Sequence, residues 1–258
     1  MYKKYLELYF KSTFQYRGST ILMFISQMFI TAGEFVAVWL LMERFNNIGG
    51  WNFYNVAIMF GLIIICFPRA ECIGRGFDTF SKQIKSGEVD RLFLRPRPIF
   101  WQVFCAEFDW TKLGKALAGI VTLIIGLIGS NITWTFSRGL CLALTIVCGF
   151  LIQLSILIFN GGITIFTVEE SEFYNIATNG GRRLAQYPIS IYNKAIRIIF
   201  TFILPFACIN YLPVSYIIGL PSASVWVNML SPVWGSLIII PATLFFNFSL
   251  KFYKGSGT

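Results

Sequence analysis

Residues 139–166 read GLCLALTIVCGFLIQLSILIFNGGITIF, a run without one formal charge. An α-helix needs about 20 apolar residues to cross a hydrocarbon core of ~30 Å, and this run exceeds that length. It is too long and too continuously apolar for a barrel strand, whose faces alternate, and in lipid only helices or closed barrels satisfy their own backbone. Working outward, comparable runs cover roughly 18–42, 52–68, 113–131, 196–213 and 231–250. The expected fold is an all-α polytopic membrane protein with six transmembrane helices, residues 1–258 forming one transmembrane domain.

Charge orients the threading. The chain has 21 Lys and Arg residues against 12 Asp and Glu, and 56% of its residues are hydrophobic. Lys3, Lys4, Lys11 and Arg17 precede the first span, and Arg69, Arg75, Lys82, Lys85, Arg91, Arg95, Arg97, Lys112 and Lys115 lie between the second and third. Arg182, Arg183, Lys194 and Arg197 separate the fourth and fifth, and Lys251 and Lys254 follow the sixth. All of these fall on one side, leaving only Arg44 and Arg138 on the other. Positive charge collects in the cytoplasm, so both termini are expected there, in the inner (plasma) membrane of a bacterial cell. The same asymmetry, with attraction to anionic lipid, accounts for the net charge of +9 without nucleic acid. The first apolar run is too long for a signal peptide and no cleavage site follows it, so it is expected to remain as a span.

Residues 2–15, YKKYLELYFKSTFQ, place Tyr2, Tyr5, Leu6, Tyr9, Phe10, Thr13 and Phe14 on one helical face and Lys3, Lys4, Glu7 and Lys11 on the other. Such a helix lies along a headgroup plane or against a protein surface. The long connection 69–112 carries Phe77, Phe80 and Ile84 at helical spacing, which predicts a short helix stopped by Ser86-Gly87, and Pro96 and Pro98 end the next segment. That connection reads as a docking surface or as a solvated loop enforcing topology. On 113–131, Gly114, Ala118, Thr122, Gly126 and Ser130 recur at every fourth position and let another helix approach closely, inside one bundle or between subunits.

The chain has no His, no HExxH, no GxSxG and no paired intramembrane carboxylates, which argues against an intramembrane enzyme and against Cys/His zinc sites. Its six cysteines form no CxxC pair and read as small buried thiols. Glu34 is the acidic residue set well inside a span, and an ionisable group there is a functional candidate by default. It could face a translocation path, meet a partner subunit's cation, or lie near the outer interface beside Glu43 and Arg44. From Ile198 to Leu250 no residue is charged, and two spans leave a surplus around 213–229 that predicts an outer re-entrant element between spans five and six. Pro205 and Pro241 are expected to kink their helices.

Three stretches then carry a likeness. GFDTFSKQIKSGEVDRLFLRPRP at 76–98, FTVEESE at 166–172 with YPISIYNKAIR at 187–197, and FILPFACINYLPVSYIIG at 202–219 resemble the type-two family of ABC transporter permeases. More narrowly, they are similar to its roughly 260-residue, six-span members that pair with a second permease. The resemblance implies an ABC exporter's membrane subunit whose segment of about 77–92 is a cytoplasmic coupling helix against an ATP-hydrolysing partner. Phe77, Phe80, Gln83, Ile84, Gly87, Glu88, Asp90 and Arg91 would carry the coupling, and residues 1–17 would form an interfacial helix. No GxxxxGK[ST] loop occurs here, and the tail 254–258 lacks its order, so the chain would not bind ATP or magnesium itself and needs no cofactor. Two copies of a separate ATPase, membrane lipids, and a second six-span permease, homologous but different, are the implied partners. A hydrophobic or amphipathic cargo, whether drug, peptide or lipid, suits the uncharged spans. An ion-coupled secondary carrier would want several buried ionisable residues and an inverted repeat. A membrane scaffold is the other alternative.

Overall fold

The computed structural model describes residues 17–45, 50–168, 175–220, 224–253 and 255. The amphipathic segment 2–15 therefore lies outside the described residues. Among those described, the architecture is all helical: α1 (Arg17–Phe45), α2 (Phe53–Ile73), four short helices α3 (Arg75–Asp78), α4 (Phe80–Lys85), α5 (Glu88–Phe93) and α6 (Ile99–Phe104), then α7 (Leu113–Gly129) and α8 (Phe136–Thr167). There follow α9 (Gly181–Ala185), α10 (Lys194–Ile198), α11 (Tyr211–Ile217), α12 (Val225–Ser236) and α13 (Ile239–Ser249). Five segments are long and apolar enough to cross a membrane: α1, α2, α7 with its leading turn, α8, and α12 joined to α13. A bent pair, Lys194–Ile203 and Phe206–Ile217, makes a sixth when counted as one span.

Helix α2 is the axis of the bundle. Every residue from Val56 to Pro68 is buried, so it is covered on all sides, as a helix apolar all round must be in a bundle interior. α7 packs antiparallel along it. A Cβ on Gly126 would stand 2.7 Å from Ile58 N, and one on Gly61 would stand 2.7 Å from Leu123 N, so the two backbones meet where side chains are missing. α8 runs parallel to α2 on another side, with Arg69 donating from its guanidinium to the Ile65 and Ile146 carbonyls at 2.9 and 2.8 Å. By contrast α1 exposes Ile21, Leu22, Phe29, Ile30 and Leu40, and α7 exposes Ile124 and Ile128.

Two features depart from an even six-fold threading. The fifth span is bent by 75° at Leu204–Pro205, where proline has no N–H to continue the helix. The bend thus falls before the expected 213–229 element, whose described residues are the end of α11, a turn at Gly219 and the start of α12. The sixth span also begins at Val225, earlier than residue 231, and loses its α-helical register at Leu237–Ile238 just before Pro241. Secondly, the segment Ile176–Ala185 between spans four and five tucks back into the bundle. Gly181 meets the Phe206 ring, and the Ala185 carbonyl accepts a hydrogen bond from Asn210 Nδ2.

α8 has 32 residues and is about 48 Å long, some three turns more than a bilayer core needs. Its excess, with the end of α13, forms a stem at the basic end of the bundle. The four short helices wrap around that stem.

Candidate functional site

The wrapping is held by aromatic rings. Phe77 meets Phe246 edge-on at 5.2 Å and Phe100 at 5.4 Å, while Phe80 and Phe100 reach Phe246 at 5.7 and 5.9 Å. Gly161 on α8 leaves room for Phe77 and Phe246, since a Cβ there would sit 3.0 Å from the Phe77 ring. Aromatic pairs of this kind contribute about 0.5–1.5 kcal/mol each beyond area burial. Gln102 closes the loop between α5 and α6 by donating Nε2 to the Leu92 and Arg97 carbonyls, both at 3.0 Å. The reversal between α4 and α5 turns on Gly87 at φ +71°, a left-handed conformation that glycine adopts without steric cost.

Of the eight residues expected to couple, Phe77 and Phe80 are fully buried, and Ile84 and Gln83 are 7% and 8% exposed. Phe77 and Phe80 meet Phe246 of the stem, and Ile84 belongs to the same buried cluster. Val89 is buried with them, Gly87 and Asp90 are half-buried, and Glu88 and Arg91 point outward. The outer ridge runs through Lys85, Ser86, Glu88, Arg91, Phe93 and Leu94, with Leu94 85% exposed. Leu94 and Phe93 were missed by sequence reasoning, although an apolar L-F-L between arginines was their signal.

The chain's end is pinned to this ridge. Tyr253 donates its phenol to Asp90 Oδ1 at 2.9 Å and stacks on Phe93 with ring centroids 5.2 Å apart. Loss of solvent, followed by the hydrogen bond and negative charge of Asp90, pushes the Tyr253 phenol up to about 12. No local pattern foretold this contact, since its partners are 163 residues apart.

Beside this collar of four short helices lies a polar pocket of about 270 Å³, between them, the ends of α2 and α7 and the 175–182 segment. Glu71 pairs with Lys112 at 3.2 Å and Asp78 with Arg75 at 2.5 Å on its walls. Arg182 also lines it, and reaches Glu34 on α1 at 3.6 Å. Glu34 therefore has its countercharge within this chain. Arg182, counted among the cations between spans four and five, is 6% exposed.

The small residues of α7 face inward. Gly114 lies on the Phe24 carbonyl of α1 and Gly126 on α2, Ala118 and Thr122 are buried, and Ser130 is half-buried at the far end. An apolar cavity of about 380 Å³ opens between α8, α13 and the bend at Ile203–Leu204, with Asn160 on its wall. All six cysteines are free and buried, and no cluster of three or more metal-ligating side chains occurs among the described residues.

Against known families, residues 28–257 match the one described as ABC-2 family transporter protein. No curated protein and no solved structure matches the chain.

Proposed function

The chain belongs to the ABC-2 family of transporter proteins, whose membrane components hydrolyse no ATP themselves and act with ABC ATPase subunits, and from that premise we propose that it is the permease half of an ATP-driven exporter. The observation that carries this reading is the ridge at the basic end: outward-facing Glu88, Arg91, Phe93 and Leu94 mounted on Phe77, Phe80 and Val89, which are wholly buried. A surface that passes force between subunits must be rigid beneath and exposed above. In this reading, ATP binding draws two partner ATPases together, their closure displaces the ridge, and the stem formed by α8 and α13 transmits the displacement along the spans.

Gln83, Ile84 and the two phenylalanines act as its footing, whereas Glu88, Arg91 and Leu94 meet the ATPase. Gly87 supplies the turn, and Asp90 ties the ridge to the tail through Tyr253. The exposed apolar faces of α1 and α7 suit lipid and a second, homologous permease. The two permeases would enclose an outward path for a hydrophobic or amphipathic cargo. The bent fifth span and the α11–α12 hairpin serve as the membrane-dipping element, with 213–229 at its outer tip. Glu34, balanced by Arg182, acts as an internal tie rather than as a cargo contact. The positive-inside rule sets the ridge and both termini in the cytoplasm.

The test is co-expression with an ATPase and the second permease, followed by assay of complex formation and transport-coupled ATP turnover. A Glu88→Lys, Arg91→Glu, Leu94→Asp variant is expected to cut coupled turnover at least ~10-fold while melting like the parent, since surface changes usually move stability by under ~0.5 kcal/mol each. Phe246→Ala serves as the contrast, costing about 3–5 kcal/mol of stability through the lost ring contacts. Unchanged coupling in the triple variant would show that the ridge is only a connecting loop.

A further inference from the structure

The polar pocket at the basic end stands apart from the coupling ridge, and among the described residues its charges do not balance. Its walls bring Arg75, Lys82, Lys112, Lys115 and Arg182 against the carboxylates of Glu71 and Asp78. Arg75, Lys112 and Arg182 are each matched by an acid, the last by Glu34 on the neighbouring helix. Lys82 and Lys115 make no ion pair among the described residues. Deeper in, Arg182 is 6% exposed and its buried Nε has no hydrogen-bond partner among the described residues. A buried donor on a charged group is costly when unmatched, and the remedy is an acceptor-rich anion. A phosphate group offers several oxygens at once, which suits a guanidinium fork beside two ammonium groups.

Depth narrows the source of that phosphate. Glu71 occupies the last turn of the span ending at Ile73, and Lys115 lies in the first turn of the helix starting at Leu113. The pocket thus opens where the hydrocarbon ends and headgroups begin. Basic pockets between span ends at this level hold anionic headgroups. A cavity of about 270 Å³ also leaves room beyond the phosphate for part of a glycerol.

We propose that this pocket binds a phosphate group at headgroup depth, with Arg182 as the buried donor, half-buried Lys115 beside it and exposed Lys82 as the outer cation. The inference concerns binding alone and does not depend on the transport reading. Glu169, Glu170 and Glu172, which shortly precede Asn175 in the chain, are a rival source of negative charge. Their effect is separable by experiment.

The full chain in phosphatidylcholine nanodiscs would be titrated with phosphatidylglycerol, and the retained lipid counted by native mass spectrometry. One phosphatidylglycerol is expected to be held in preference to phosphatidylcholine. Lys82→Ser with Lys115→Gln should lower that retention about 10-fold or more, at about 1 kcal/mol per cation near the surface. Arg138→Gln, at the other end of the bundle, should leave it unchanged. Displacement of the bound lipid by inorganic phosphate would support the phosphate site with a dissolved source, and resistance to it would support the lipid. Equal retention of the two lipids, or a double variant that binds like the parent, would overturn the proposal. So would preference that emerges only after Glu169, Glu170 and Glu172 are changed to Gln, because the chain's own carboxylates would then be the occupant.

Discussion

At the scale of single residues, the chain uses polar groups as long-range ties. Arg69 follows Pro68 inside α2, and its guanidinium fastens the central helix to α8 through the Ile146 carbonyl. Tyr253 does the same for the chain's end by donating to Asp90. That bond has a pH signature. Burial and the adjacent carboxylate raise the phenol from 10.0 to about 12, so the folded protein favours the protonated form. The contribution is fully present below pH 10 and is lost as pH rises from about 10 to 12, because the unfolded phenol ionises first. Tyr253→Phe is expected to take one phenol out of the phase near pH 12 of a tyrosinate absorbance titration, leaving that of Tyr192, which burial also raises to about 12. Loss of one phenol from the phase near pH 10, with the phase near pH 12 unchanged, would show that Tyr253 ionises like an exposed phenol.

At the scale of elements, close backbone approach decides which helices pair. The α2–α7 seam depends on Gly61, Gly119 and Gly126, where a Cβ would fall within 3.0 Å of the facing helix. Gly126→Val is expected to cost about 1–3 kcal/mol through overpacking, read as a lowered melting temperature in detergent. A neutral effect would mean that the helices can part without loss. The every-fourth-residue stripe on 113–131 was legible in sequence, but its partner was not, since small residues suit any neighbour. The same holds for the short-helix collar. Its Phe77, Phe80 and Ile84 stripe was readable, yet which side of the stripe faces out depended on Phe246 and Gly161 in remote helices. Of the residues read as contacts for another subunit, Phe77, Phe80, Gln83 and Ile84 are buried within this chain.

At the scale of the whole molecule, the native cysteines make topology easy to read. All six are free and buried, so background labelling is low and a single introduced thiol reports its own side. Ser86→Cys is expected to react only from the cytoplasm and Ser137→Cys only from outside. Reaction of residue 86 from outside would invert the arrangement and overturn the proposed ATPase contact at the ridge. Five of the spans and the clustering of basic residues were determined by sequence alone, because hydrocarbon thickness and the cost of charge act on local composition. Tertiary structure decided the rest: the bend at Leu204–Pro205, the burial of Arg182 against Glu34, and the tail on Asp90. Each depends on groups far apart in the chain that meet only after the helices pack, so no local pattern records them.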